Sequence, residues 1–598
     1  MRVSVFLLLI FLIPTISQSQ PDAEARLAGL DTFVEKVLEG WKSPGISIAV
    51  VEKDKVIFAG GFGFRDWENK LPVTQHTLFA IGSCTKAFTA SMLGMLVKEG
   101  KLDLDQPVRD YLPELEFKNE YTNDHCTLRD MMSHRSGLPR HDYSWYGSTA
   151  SRSELLKRIQ YLEPSAELRE KYQYNNFMFM AQGVVLEKIT GKSWEQNLQE
   201  RILDPLKMQH TNMSISALEE NDDRSLAYTS SMDGIEKIPY RNIDAIGPAG
   251  SINSCASDMA QWLITWINGG SFDSTQIIPS SFWEQAITVQ MATGGGRPGA
   301  EYPDLHSGGY GLAWGMSSYR GHYRVEHGGG IDGFSTTTCF FPTDSIGIFV
   351  VSNQGGPTSA VRNFIADRML NLDYRDWSGP RLKEKIKAEA MARISPDNDS
   401  INQVKGTTPS HAMADYTGSY ENKGYGVAKI FLENDTAWVD YNEGGKPTKS
   451  FLEHYHYDVF RILSTDQEGK NKNAIKLRFQ TNEKGEISGL KIKMEPAVDE
   501  IEFVKLSPAF EVSRDALNQY VGEYDLLGTN IKVYLRGDGV LMVLVPGQPD
   551  YELVATMKDQ FKLKVLDNYE VHFEVDAEEH VKSLSFVQPN GTFKAIRK

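Results

Sequence analysis

A chain of 598 residues exceeds what one hydrophobic core sustains, so several domains are expected. Its apolar, aromatic and charged fractions are ordinary for globular proteins and argue against wholesale disorder. A net charge of −16 with no basic block argues against nucleic acid or an anionic membrane surface as partner, since neither would gain the counterion release that drives such binding.

The first residues, MRVSVFLLLIFLIPTISQSQ, combine Arg2, an apolar run from Val5 to Ile13 and small polar residues. The run is too short to span a bilayer, and Ser17 and Ser19 suit cleavage before Gln20. Residues 1–19 therefore read as a signal peptide. No cysteine follows to hold a lipid, so export to the periplasm or medium without a membrane anchor is expected.

GISIAVVEKDKVIFAGGF (45–62) gives two β-rich runs joined by a hairpin signal. An apolar, helix-like run follows within 79–102, and helices alternate with loops to about Leu206. A serine- and glycine-rich stretch continues to about Tyr319. HYRVEHGGG, STTTCFFP and SIGIFVVSNQ read as consecutive strands, closed by the helix AVRNFIADRMLNL. Strands at both ends with helices between them predict one α+β domain over residues 20–375, its sheet joining the two termini.

Residues 376–410 are polar and read as a linker containing a helix-prone KEKIKAEAMAR stretch. Beyond them the pattern becomes short alternating strands with glycine, asparagine and aspartate turns. Tyr416-Thr-Gly418-Ser-Tyr420 recurs as Tyr520-Val-Gly522-Glu-Tyr524, which predicts two small all-β, barrel-like domains in tandem, 411–507 and 508–598. The four cysteines, Cys84, Cys126, Cys255 and Cys339, are too few for a disulfide scaffold in a chain of this length. They lack zinc-ligand spacing and are expected as buried thiols.

Within FAIGSCTKAFTASMLGMLVKEGKL (79–102), Ser83 and Lys86 stand three apart at the start of the apolar helix and share one of its faces. Phe88, Met92, Leu93, Met95 and Leu96 surround that helix, so it is expected to be buried. Lys86 then lies at the wrong end for the macrodipole and beside a dry interior, both of which disfavour its charge. A serine hydroxyl becomes a competent nucleophile when a neighbouring base takes its proton, and a helix N-terminus offers N–H groups to an oxyanion. The bland reading is a snorkelling lysine behind a serine cap; it explains Ser83 better than Lys86. A second match, Ser488 to Lys491, falls in the alternating segment ISGLKIK, where the spacing puts the two side chains on opposite faces of a strand.

With these residues the chain resembles the serine β-lactamase and penicillin-binding peptidase superfamily, in particular its class C β-lactamase-like branch of esterases and D-amino-acid peptidases. TLRDMMSHRSGLP (127–139), YNNFMFMAQGVVLEKITGKSW (174–194), GPAGSINSCASDMAQWL (247–263) and YGLAWGM (310–316) follow in that branch's order. The resemblance covers roughly residues 30–372 and implies an α/β/α sandwich with an antiparallel sheet and a helical subdomain; the tandem β modules resemble domains often attached to such hydrolases. It implies Ser83 as nucleophile, Lys86 as its assistant, and Tyr174 as general base and later acid, with Lys86 holding down the tyrosine's pKa. Asn176 would orient Lys86 and the substrate amide. His327, Gly328 and Gly329 would stand where the branch usually has Lys-Thr-Gly, with the Gly330 N–H as second oxyanion donor. A mostly neutral histidine lacks the fixed charge that grips a β-lactam carboxylate.

The expectation is an exported serine hydrolase, free of metal and cofactor, that acylates Ser83 and hydrolyses a small-molecule or peptide substrate, an amide or ester that includes D-amino-acid peptides. A carboxylesterase, a weak β-lactamase and a non-catalytic penicillin-binding sensor are the alternatives, and whether Lys86 or Tyr174 takes the serine proton is open. His454 and His456 are expected to pack among aromatics, His134 to serve a turn, and Tyr143, Trp145 and Tyr146 to border the cleft.

Overall fold

The computed structural model describes residues 23–394 except 232 and 295, then 401–441, 450–464, 474–506, 512–537, 539–566, 569–576 and 578–598. The expected signal peptide, 1–19, lies outside the described residues. The chain divides into two compact units: residues 1–401 with 423–425 and 493–499, and the rest of the chain to Lys598.

The first unit is built on an eight-stranded sheet in the order Leu305–Tyr310, Gly315–Tyr319, His322–Ile331, Phe334–Phe341, Ile346–Ser352, Gly45–Glu52, Lys55–Asp66 and Leu71–Pro72. Every pairing is antiparallel. Gly45–Glu52 lies beside Ile346–Ser352, with Ile48 opposite Val350, so the two ends of the domain meet in the sheet as the sequence predicts.

Strand periodicity sends successive side chains to opposite faces. Ile46, Ile48 and Val50 join Ile348 and Val350 in a core covered by the helices Leu30–Trp41 and Thr358–Met369. On the opposite face lies the helix Ala256–Ile267, whose Leu263 abuts Gly347. Its Trp266 meets Trp314 edge-on at 4.9 Å, and its Trp262 stacks on Phe88 at 3.8 Å between ring centroids. That stack joins the sheet to the helix Thr85–Lys98, which is buried from Thr85 to Leu96. The result is the α/β/α sandwich with a helical region between its terminal strands.

The stretch expected as a linker starts inside this unit. Trp377 is 2 % exposed and belongs to the core beneath Leu30–Trp41, with Leu382 packed beside it. Trp377 Nε1 donates to Asp367 Oδ2 at 2.6 Å, and residues Gly379–Ile394 form a helix. A polar composition concealed this docking because two apolar side chains suffice to anchor the segment.

The second unit contains two closed eight-stranded barrels, with strands between Gly418 and Lys505 and between Gly522 and Arg597. Each closes by pairing its first strand with its last, Tyr420 opposite Lys505 and Tyr524 opposite Arg597. The repeated tyrosines have repeated partners. Tyr420 Oη donates to the Tyr416 carbonyl at 2.7 Å and Tyr416 Oη to Asp458 at 2.5 Å; Tyr524 Oη donates to the Tyr520 carbonyl at 2.8 Å and Tyr520 Oη to Asp559 at 2.6 Å.

Candidate active site

Ser83 lies in a 3-10 turn, Gly82–Cys84, that leads into the helix Thr85–Lys98. Near the start of such a turn its N–H has no partner within the helix. Gly82 sits at φ +52°, and a Cβ there would come within 2.8 Å of the Gly330 nitrogen; a Cβ on Gly329 would lie 1.9 Å from the Ile81 carbonyl oxygen. Glycine at these two positions lets the strand His322–Ile331 press its backbone against the serine turn. The N–H groups of Ser83 and Gly330 are thereby brought to the same small region.

Lys86 is fully buried, at 0 % exposure. Its Nζ lies 3.1 Å from Ser83 Oγ, 2.7 Å from Asn176 Oδ1 and 2.8 Å from the Ala249 carbonyl oxygen. Asn176 begins the helix Asn176–Thr190, capped by the Asn175 side chain on the Met178 N–H. Ala249 ends a 3-10 turn that Thr89 holds by donating to the Pro248 carbonyl at 2.7 Å. Burial, reinforced by the Arg140 guanidinium, pushes the Lys86 ammonium well below its usual range. A neutral amine has two hydrogens and one lone pair. As the ammonium, Lys86 donates to all three oxygens; as the neutral amine it keeps the Asn176 and Ala249 oxygens as acceptors and turns its lone pair to the Ser83 hydroxyl.

Tyr174 is half-buried and shares a hydrogen bond with the Ser83 side chain. The resemblance implies that Lys86 holds the tyrosine's pKa down; desolvation acts the other way and outweighs it. Lys86 Nζ sits 4.8 Å from the centre of the ring, and desolvation pushes the phenol far above its usual range. The Arg140 guanidinium also lies over this ring at 4.9 Å, and the His134 ring packs against it at 4.2 Å. Tyr174 is thus a protonated phenol, suited to giving a proton rather than to starting as a phenolate.

His327 is buried. Its Nδ1 donates to the Gly328 carbonyl at 2.6 Å and its Nε2 accepts from Tyr310 Oη at 2.8 Å, a pattern that a neutral imidazole satisfies completely. Burial and the nearby Lys86 lower its pKa to about 4. Gly328 and Gly329 continue the strand beside it.

Two groups that sequence reasoning missed complete the surroundings. Asp142 Oδ1 accepts from Asn176 Nδ2 at 3.0 Å and from Trp145 Nε1 at 2.9 Å, while Oδ2 accepts from Arg140 Nε at 2.6 Å. Between them His141 adopts φ 49°. Its buried ring accepts from Tyr425 Oη at 2.6 Å and donates to the Glu163 carbonyl at 2.9 Å. The run Leu138-Pro-Arg-His-Asp142 has no periodicity to mark it; a charged pair just before the aromatic loop was its only signal.

An open cleft of about 360 Å³ is lined by Ser83, Arg140, Asp142, Trp145, Tyr146, Asn176, Gly330, Asp332 and Phe334 among others. Trp145 and Tyr146 therefore face it, whereas the Tyr143 N–H is turned to Glu495 Oε1 at 3.3 Å. His454 packs edge-on to Phe460 and His456 lies beside Tyr455. All four cysteines are buried free thiols. Among the described residues no group of three or more His, Cys, Asp or Glu side chains could hold a metal ion.

The chain matches the Beta-lactamase family over residues 30–370 and a domain of unknown function (DUF3471) over residues 402–505. It is 30% identical over 449 residues to the unguisins hydrolase ungD' of Aspergillus campestris, across 70% of this chain and 80% of that protein. It is 32% identical over 222 residues to the teichoic acid D-alanine hydrolase of Staphylococcus aureus, across 37% of this chain and 53% of that one. Its fold is similar to that of the octameric penicillin-binding protein homologue from Pyrococcus abyssi, with a TM-score of 0.50 at 21% identity over 80% of this chain and 100% of that chain. With a family match over more than half its length and the sandwich built around Ser83 and Lys86, the chain belongs to the Beta-lactamase family of hydrolases.

Proposed function

We propose that this protein is a serine hydrolase that forms an acyl-enzyme on Ser83 and hydrolyses small amides or esters, including peptides that contain D-amino acids. The observation that supports it most is the buried Lys86 amine 3.1 Å from Ser83 Oγ, with burial pushing its pKa well below the usual range. As Oγ bonds to the substrate carbonyl carbon, its proton passes to the Lys86 lone pair. The Ser83 and Gly330 N–H groups receive the developing oxyanion. The Tyr174 phenol gives its proton to the leaving nitrogen or oxygen and is reprotonated from Lys86. Water then attacks the ester, its proton taking the reverse route.

The substrate class rests on two considerations. Relatives are named for hydrolysis of unguisins and of teichoic acid D-alanine, and the neutral His327 provides no fixed cation for a β-lactam carboxylate, so β-lactams are slow substrates. The N-terminal sequence supports export.

Purified protein and its Ser83→Ala variant, assayed on p-nitrophenyl esters, D- and L-aminoacyl anilides and nitrocefin, test the reading. Turnover by the parent alone, with an acyl adduct on the Ser83 peptide by intact and peptide mass spectrometry, is the expected result. Equal rates for the two proteins on every hydrolysed compound reject it, and a stable adduct without turnover assigns the protein as a sensor instead.

A further inference from the structure

We infer that Asp142 is a positioning residue of this site: by fixing which way round the Asn176 amide lies, it keeps the Lys86 lone pair on Ser83. The inference rests on the reading of Ser83 and Lys86 as nucleophile and base.

An amide side chain can present either its oxygen or its NH2 group to a neighbour, and the choice is made by the partners at the other end. At Asn176 the far partner is the Asp142 carboxylate, 3.0 Å from Nδ2. An ionised carboxylate only accepts, so Nδ2 must point to Asp142 and Oδ1 to Lys86, which it meets at 2.7 Å. Reversed, the amide would direct N–H groups at Lys86 Nζ. The amine would then turn its lone pair to Asn176 and lose it for Ser83.

Asp142 is itself held on three sides. Arg140 Nε takes one oxygen, and Trp145 Nε1 and Asn176 share the other. Its backbone follows His141, whose ring is locked to Tyr425 and to the Glu163 carbonyl. The chain Arg140–Asp142–Asn176–Lys86–Ser83 is continuous, and each link has one donor and one acceptor.

The surroundings of Lys86 make its titration a clean reporter. Arg140 and Asp142 face it from the loop before the aromatic residues, Cys84 from its own turn, His134 from the adjoining loop, Tyr174 from the segment leading into the helix Asn176–Thr190, and His327 from the sheet. Burial keeps the Cys84 thiol, the Tyr174 phenol and both imidazoles uncharged near neutrality. The charged pair that remains has opposite effects on the amine: Arg140 lowers its pKa and Asp142 raises it.

The test compares Asp142→Asn and Asp142→Glu with the parent full-length protein. Asparagine keeps the shape but has a donor end, which permits the reversed network. Its kcat on the hydrolysed ester or anilide falls about tenfold to a hundredfold with KM changed less than about twofold, and the acid limb of kcat moves to lower pH because the charge that favours the ammonium is gone. Glutamate restores most of kcat and returns the limb. Nitrogen-15 NMR of lysine-labelled protein, with the Lys86 signal assigned by its loss in Lys86→Met, reads the same shift without turnover. An Asp142→Asn protein with parental kcat and titration, or two variants equally impaired with an unmoved Lys86 titration, overturns the inference. A parent protein that turns over nothing refutes the hydrolase reading, and the NMR titration still decides the role of Asp142.

Discussion

Ser-x-x-Lys occurs at 83–86 and again at 488–491, and the two copies meet opposite fates. In the first, a 3-10 turn runs into a helix buried from Thr85 to Leu96, so the lysine stem folds back into a dry interior and its amine reaches the serine at 3.1 Å. In the second, the residues sit on the strand Ile487–Ile492, where a separation of three sends the side chains to opposite faces. Ser488 turns to the Gln480 carbonyl at 3.4 Å, and Lys491 pairs with Glu502 at 3.2 Å with its side chain 28 % exposed. Four letters specify nothing by themselves. Burial and helical phase bring the serine and amine of one copy into contact in a dry interior, while extended backbone leaves the other as ordinary surface.

Kinetics would break this contrast most forcefully. Ser83→Ala is expected to lower kcat/KM about a thousandfold or more, and Lys86→Met by roughly a hundredfold to ten-thousandfold, whereas Ser488→Ala leaves it unchanged; steady-state assays on one ester measure all three. The pH profile sharpens the same point. With Lys86 as the proposed base in its neutral form, and its pKa lowered by burial, kcat/KM is expected to rise with pH through a pKa below 10.5 and then level. An acid limb that survives in Lys86→Met would belong to another group and remove the lysine from the mechanism.

What the residues revealed of this site follows the range over which periodicity operates. Ser83 with Lys86, and Tyr174 with Asn176, are local pairs set at helix starts, and glycines at 328–330 marked a close backbone approach. Asp142 stayed hidden, because its partner Asn176 is 34 positions away and neither lies in a pattern that points to the other. The barrels show the same limit: the tyrosine repeat is legible, but Asp458 and Asp559 lie 42 and 39 residues beyond Tyr416 and Tyr520. The docked Trp377 was misread for a related reason, since one buried tryptophan scarcely alters the composition of a polar stretch.

Smaller effects separate the buried polar groups of the two units. In the hydrolase unit burial opposes the charge of His327 and lowers its pKa to about 4, against about 6.5 in an unfolded chain. Between these values the unfolded chain binds more protons, so stability rises with pH across that window and is lost as pH falls from about 6.5 to 4. This histidine's share is about 3 kcal/mol at full extent. His327→Gln should flatten the pH dependence of the urea midpoint there by about one proton's worth, and an unaltered slope would mean that the ring is not buried neutral. In the barrels, Tyr416→Phe and Tyr520→Phe each remove one hydrogen bond to a carboxylate, with an expected loss of about 1–2 kcal/mol apiece. Denaturant titration showing a loss in one barrel and none in the other would deny that the repeated tyrosines do the same work.

The smallest effect belongs to Lys491→Met. Its ion pair with Glu502 joins neighbouring strands, yet the glutamate side chain is 55 % exposed, so water screens the attraction and the pair contributes within about 0.5 kcal/mol. The methionine stem covers the same strip of barrel surface, which leaves the packing term in place. A urea midpoint that stays put in Lys491→Met, beside the large loss of kcat/KM from the same replacement at Lys86, isolates location as the variable: identical chemistry is removed from two Ser-x-x-Lys copies. Loss of more than about 1 kcal/mol at Lys491 would show instead that the second copy has a buried role of its own, and the contrast drawn from burial would fail.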